Sequence, residues 1–173
     1  MAVPGIQPAR TDEVDLIVAA WQRETPHLDV EPLQVLSRLT RLSRHLDRAR
    51  KTAFAQHHLE VWEFDVISAL RRSGDPYELS PGDLVKQTLS TSGTMTNRID
   101  RLVERGLVER FPDPEDRRGV RVRLTDHGRT LSEDALAGLL DHERGILETL
   151  APHERQALAE LLARLMAPFE EGH

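Results

Sequence analysis

Residues 79–110 read LSPGDLVKQTLSTSGTMTNRIDRLVERGLVER, and the local chemistry of this stretch sets the architecture around it. Ser80 is a good N-cap, because its hydroxyl can accept from the amides left open at a helix start. Pro81 suits the first helical position and Asp83 the third. The spacing predicts a short helix to about Thr88, a turn at Leu89-Ser90 and a second helix over about Thr91–Arg105. Gly106 closes that second helix by taking left-handed backbone. Two short helices joined by a tight turn form a helix-turn-helix. On a helical wheel Met95, Ile99, Leu102 and Val103 share one face, which must be core. Ser90, Gly93, Thr94, Asn97 and Arg101 point away. With Thr96, the hydrogen-bonding members of this set are the candidate DNA-binding residues, near the end of a helix that could enter a major groove. Asp100 and Glu104 lie farther along, so only the N-terminal half suits close approach to phosphates. Arg98 sits at the border of the core face. It could meet a phosphate, or turn inward to an anion or a buried carboxylate.

After Gly106 the apolar period changes to two. Leu107–Phe111 and Val120–Leu124 read as strands, and PDPEDRRG between them reads as a polar hairpin tip. The result is a β-hairpin wing beside the second helix. From Lys86 to Arg129 there are ten Lys/Arg against seven Asp/Glu, a net of +3 that leaves −9 on the remainder of a chain whose total is −6. The basic region therefore coincides with the helix-turn-helix and wing, where a nucleic-acid backbone would lie.

Outward from this centre the pattern is helical. Residues 1–10 contain Pro4, Gly5 and Pro8 and read as a flexible tail. From Thr11 a helix places Leu16, Ile17, Ala20 and Trp21 on one face, and Pro26 ends it. A longer helix starts near Glu31-Pro32 with Val35, Leu36, Leu39, Leu42, Leu46 and Ala49 at helical spacing. That stripe is long for one small core, so a second copy of the chain is expected to cover part of it. The helix Val61–Arg72 is apolar nearly all round and belongs in the interior. Its Asp65 is either a partly exposed acid or a buried carboxylate that needs a cation. Beyond the wing, Thr125 and Asp126 open a helix to about Leu150. A last helix starts at Pro152, carries Leu158, Leu161, Leu162 and Leu165, and ends near Pro168. The fold class expected is mainly α, a winged helix-turn-helix with terminal dimerisation helices. It forms one domain over 11–173, with N-terminal helices at 11–60, the winged core at 61–125 and dimerisation helices at 126–173.

Composition removes several classes of function. The 173 residues include no cysteine, which excludes disulfide scaffolds, thiol catalysis and Cys-based zinc sites. Adjacent His57-His58 point about 100° apart on a helix and make a poor two-ligand face, so no metal is expected. No phosphate loop or nucleophile elbow occurs, and no enzyme activity or cofactor is expected. No apolar run approaches the ~20 residues of a membrane span. The opening residues lack a secretory pattern, which places the protein in the cytoplasm.

The helix-turn-helix, the GLVER strand, the DPEDRRGVRVRLTDHG wing and the long closing helices together resemble the MarR family of winged-helix transcription regulators. The resemblance covers nearly the whole chain past the tail. It implies that Asp116 and Arg118 form the wing's Asp–Arg pair, with Arg118 and its neighbour Arg117 at the DNA, and that the protein is a homodimer on a pseudo-palindromic operator. A narrower resemblance is to the urate-responsive branch of that family. An additional N-terminal helix carries Trp21, EFDVISALRRSG carries Asp65, TNRIDRL carries Arg98 and GLVER ends on Arg110. The resemblance implies that Trp21 packs on a planar ligand and that Arg98 binds its negative charge. Asp65 would be displaced by that charge, and Arg110 would pass the movement to the DNA-binding helix. A tricarboxylate or another small anion could use the same residues. The function implied is a repressor released from its operator by urate or a related metabolite. The alternative is a protein-interaction module on a winged-helix scaffold, which would favour apolar residues where Ser90, Thr94, Asn97 and Arg101 stand.

Overall fold

The computed structural model describes residues 11–88, 90–114, 116 and 119–170. The tail 1–10 and the wing residues Arg117 and Arg118 lie outside the described residues. The chain divides into two compact units, Met1–Ala49 and Arg50–His173.

In the first unit, α1 spans Glu13–Glu24 and α2 begins at Pro32. Asp12 caps α1 by accepting from the Val14 and Asp15 amides, and Asp15 reaches back to the Asp12 amide at 2.9 Å. Both carboxylates also take Arg38 of α2, at 2.8 and 2.7 Å. Asp12 is held below the usual carboxylate range chiefly by Arg38, and Asp15 chiefly by the Asp12 amide and then Arg38. Val14, Val18 and Val30 form a small core with Leu33 packed against it. Leu16 and Trp21 are exposed, because two apolar rows share this helix and the valine row meets the start of α2. Val35, Leu36 and Leu42 on α2 are exposed, as a stripe left uncovered would be.

In the second unit, α2 runs on to Ala55, and α3 (Val61–Arg72), α4 (Pro81–Thr88) and α5 (Ser92–Glu104) follow. Strands β2 (Val108–Pro112) and β3 (Val120–Leu124) form the wing, and α6 (Asp126–Leu147) and α7 (Pro152–Glu170) close the chain. The winged helix-turn-helix stands as expected. A third strand, β1 (Glu78–Leu79), was not expected. It pairs antiparallel with β3, so the sheet order is β1-β3-β2. Phe54 stacks on Phe64 with ring centroids 4.0 Å apart. Ile67, Leu70, Leu84, Met95, Ile99, Leu102, Leu107 and Val122 complete a buried core that joins helix-turn-helix to wing.

Thr125 and Gly128 fasten the start of α6 to the root of the wing. The Thr125 hydroxyl donates towards the Gly106 carbonyl at 2.8 Å and caps α6 by accepting from the Gly128 amide at 3.0 Å. A Cβ at Gly128 would fall 2.1 Å from the Leu107 carbonyl oxygen, so only glycine lets α6 start this close to the wing. Helix α7 runs two residues past Pro168 and buries none of its side chains. Leu161, Leu165, Met166 and Phe169 are all exposed on it. Among the described residues no helix is long and apolar enough to cross a membrane, and no group of three or more His, Asp or Glu could hold a metal ion.

Candidate nucleic-acid interface

The turn between α4 and α5 is built from short side chains that bond locally. The Ser80 hydroxyl accepts from the Asp83 amide at 3.1 Å, and Thr88 and Ser90 hydroxyls lie 3.0 Å apart. Thr91 caps α5, accepting from the Thr94 amide. The core face of α5 is Met95, Ile99 and Leu102, all buried. Val103 departs from the wheel and is exposed. Thr94, Thr96, Asn97 and Arg101 are exposed, and Ser90 is half-buried at the turn. The Thr94 hydroxyl oxygen accepts from Thr91 at 2.8 Å, and Thr96 donates to the Ser92 carbonyl at 3.3 Å.

The wing is braced at its root. Arg123 of β3 pairs with Glu78 of β1 and with Glu109 of β2, and its guanidinium lies 4.5 Å from the Phe111 ring centroid. Near the tip, Arg121 pairs with Asp113 at 2.7 Å. The Gly119 amide donates to the Asp116 carbonyl at 2.8 Å, and the Asp113 amide donates to the Gly119 carbonyl at 3.0 Å. The side chain of Asp116 is exposed. Its expected partner Arg118 lies outside the described residues.

Arg98 is half-buried, as its border position requires, and its guanidinium lies 5.4 Å from the Trp62 ring centroid. Asp65 is half-buried too. Its direct partner is Arg50, at 3.0 Å, with Arg98 and Arg72 exerting weaker attraction. Burial outweighs these cations and raises the Asp65 carboxyl above its ordinary value. Arg110 donates to Asp100 at 2.6 Å, tying the start of the wing to α5. Asp65, Arg98 and Arg110 thus all belong to the second unit. Trp21 belongs to the first, where it is exposed at a groove with Thr25, Leu28 and Leu33.

Sequence reasoning missed several residues. Trp62, expected in the interior, is half-buried and serves as a platform for Arg98 and Arg101. Glu60 binds Arg101 at 2.9 Å. Glu63 is the buried acid of α3, 2% exposed, and Arg105 meets it at 2.5 Å. Each cation lies more than forty positions from its acid, beyond the range of helical spacing.

A sequence model of the MarR family matches residues 58–119. The HTH-type transcriptional regulator PecS of Dickeya dadantii (strain 3937) is 40% identical over 157 residues, covering 91% of this chain and 95% of PecS. Among solved structures, a cysteine-to-serine mutant of MarR from E. coli complexed with operator DNA superposes with a TM-score of 0.66 at 26% identity, over 84% of this chain and 97% of that one. BpsR of Bordetella bronchiseptica, described for regulation of its DNA binding by 6-hydroxynicotinic acid, superposes with a TM-score of 0.64 at 31% identity, over 76% and 91% of the two chains.

Proposed function

Because this chain belongs to the MarR family of winged helix-turn-helix transcription regulators, we propose that it is a homodimeric repressor that releases its operator when a small anion binds. The chain is a transcription regulator and not an enzyme, as its relatives are. The observation that carries the DNA reading is the outward face of α5. It presents Thr94, Thr96, Asn97 and Arg101 to solvent beside a hairpin whose tip sequence is arginine-rich. An interaction module would show apolar side chains there. In the reading offered, Asn97 and the threonines meet base edges, and Ser90, Arg101, Asp116, Arg117 and Arg118 set the backbone and minor-groove contacts. The exposed apolar rows of α2 and α7 are the surfaces a second copy would cover, within one domain over 11–173 in each cytoplasmic protomer.

The effector is urate or a related small anion, with Asp65, Arg98 and Arg110 as response residues. Arg98 shares α5 with Asn97, one residue away, so whatever grips Arg98 is mechanically tied to the reading face. An anion drawn to Arg98 and Arg50 would repel Asp65 in a partly dry setting. Arg110, paired with Asp100, would carry the shift between α5 and the wing. For Trp21 the role rests on the resemblance to urate-responsive regulators.

The test is a titration of urate, and separately of citrate, into the complex of the purified protein with the DNA upstream of its own gene. Released DNA, together with a response weakened in Arg98→Ala and Trp21→Phe, supports the reading. A coupling of ~1–3 kcal/mol corresponds to a change in operator affinity of about 5–150-fold. Specific binding that neither anion weakens, or variants that respond as the parent does, would leave a plain DNA-binding regulator. Charged replacements at Leu161 and Leu165 should abolish operator binding, because paired half-sites need two reading helices. A monomer with full affinity would refute the dimer.

A further inference from the structure

Trp62, at the start of α3, holds two arginines of the recognition helix. The guanidinium of Arg101 lies 4.8 Å from its ring centroid and that of Arg98 lies 5.4 Å away. Both are within the ~6 Å at which a cation is drawn to an indole face. Arg98 and Arg101 are three residues apart on one helix, where like charges repel. Glu60 offsets that repulsion. One of its carboxylate oxygens accepts the Trp62 indole N–H at 2.8 Å, and the other accepts Arg101 at 2.9 Å. The three side chains close a ring from indole to carboxylate to guanidinium and back to indole. The indole hydrogen bond and then Arg101 hold the Glu60 carboxyl below its usual range, so it stays ionised at neutral pH.

We propose that Glu60 is an internal stand-in for a DNA phosphate that holds Arg101 against Trp62 until a duplex displaces it. This rests on the reading of α5 as the DNA-facing helix. The chemistry is that of an oxyanion presented to a guanidinium, as a phosphate would present it. Both partners are more than half exposed, and exposed ion pairs are weak enough for a phosphate to displace. Binding therefore exchanges one carboxylate for one phosphate at Arg101, which lowers the gain from that contact and leaves a negative charge nearby. Glu60 would restrain affinity for any duplex alike, because the competition is for the backbone and not for a base. Trp62 keeps its grip on both arginines throughout, so the guanidinium of Arg101 stays near α3 whether its anion is internal or external.

Glu60→Gln tests this. The amide oxygen can still accept from the Trp62 indole, while the charge that holds Arg101 is gone. The measurement is affinity of the full chain for a mixed-sequence duplex of two to three helical turns, titrated with salt. Glu60→Gln should bind about 3–10-fold more tightly at low salt, with a salt slope steeper by up to about 0.9, the value of one additional phosphate contact. In the Arg101→Ala background the same change should have little effect, since the residue it acts through is absent. Unchanged affinity and slope in Glu60→Gln would overturn the proposal. So would an equal gain with and without Arg101, which would mark a diffuse charge effect. A parent that binds no duplex at low salt would overturn the DNA reading and this proposal together. A parent that binds while Glu60→Gln matches it would overturn the proposal alone.

Discussion

Arg105→Ala should expose how heavily the fold relies on one buried carboxylate. Glu63 is 2% exposed and sits in the first turn of α3. It has two partners: the Glu60 amide at 2.9 Å and Arg105 at 2.5 Å. Removing one partner of a buried ion pair costs about 3–5 kcal/mol, because the other charge stays in a dry site. Arg105 is 34% exposed, so water can enter the vacated space, and a discount of about a third brings the cost to roughly 2–3.5 kcal/mol. Loss of the hydrogen bond from Arg105 to the His58 carbonyl, at 2.9 Å, adds roughly 0.5–1 kcal/mol. A total near 3 kcal/mol, at about 2–4 °C per kcal/mol for a chain of this size, lowers Tm by roughly 6–12 °C. The assay is thermal and urea unfolding at pH 7, at matched protein concentration so that any self-association contributes equally. Glu63→Gln in the Arg105→Ala background should restore more than half of the loss, since an amide leaves no buried charge and can still accept from Glu60. A loss below about 1 kcal/mol in Arg105→Ala, or no recovery in the double variant, would refute the assignment of Glu63 as a costly buried charge.

Gly128→Ala should be severe, because the new Cβ would stand 2.1 Å from the Leu107 carbonyl oxygen and 2.9 Å from Leu124 Cδ1. Backbone cannot yield as a side-chain tip can, and a loss of about 3 kcal/mol or more is expected by unfolding measurements. A Tm equal to the parent's would show that α6 can shift freely. Asp65→Asn should raise Tm slightly at pH 7. Burial raises the Asp65 carboxyl above its ordinary 3.8, so the folded state binds the proton more tightly than the unfolded chain. The ionised form therefore costs stability as pH rises through that raised value, and the advantage of asparagine should shrink as pH falls towards 4. A gain independent of pH, or a net loss at pH 7, would contradict the sign.

The parts of the fold legible in the sequence are those fixed within a few residues. Ser80 and Thr91 cap their helices by reaching the third amide onward, and Gly106 takes left-handed backbone at φ +67°. Such signals need no knowledge of the rest of the chain. Strand β1 was illegible because two residues carry no period. It exists only through pairing with Val122 and Arg123, more than forty positions later. In α1 the valine and Leu16/Trp21 rows are equally apolar by pattern, and tertiary packing selects the valines. In α3 the pattern drew attention to Asp65, although the deeply buried acid is Glu63, whose cation waits at the far end of α5. The wheel correctly turned Arg101 outward, but nothing local announces that Glu60 and Trp62 already occupy it.

The placement of β1 makes the wing a cantilever. Val122 and Arg123 are flanked by strands on both edges, whereas Val120 and Arg121 have a partner strand on one edge only. The clamp thus grips the end nearest α6, and beyond it β2 is the one strand beside β3 among the described residues. Five residues of strand extend about 17 Å at ~3.4 Å each. A turn of about 5° at the clamped end therefore carries the far end through about 1.5 Å, half the length of a hydrogen bond. Arg110 joins that clamped end to Asp100 on α5. A slight roll of the helix would leave the hydrophobic root undisturbed while displacing the far end of the strand.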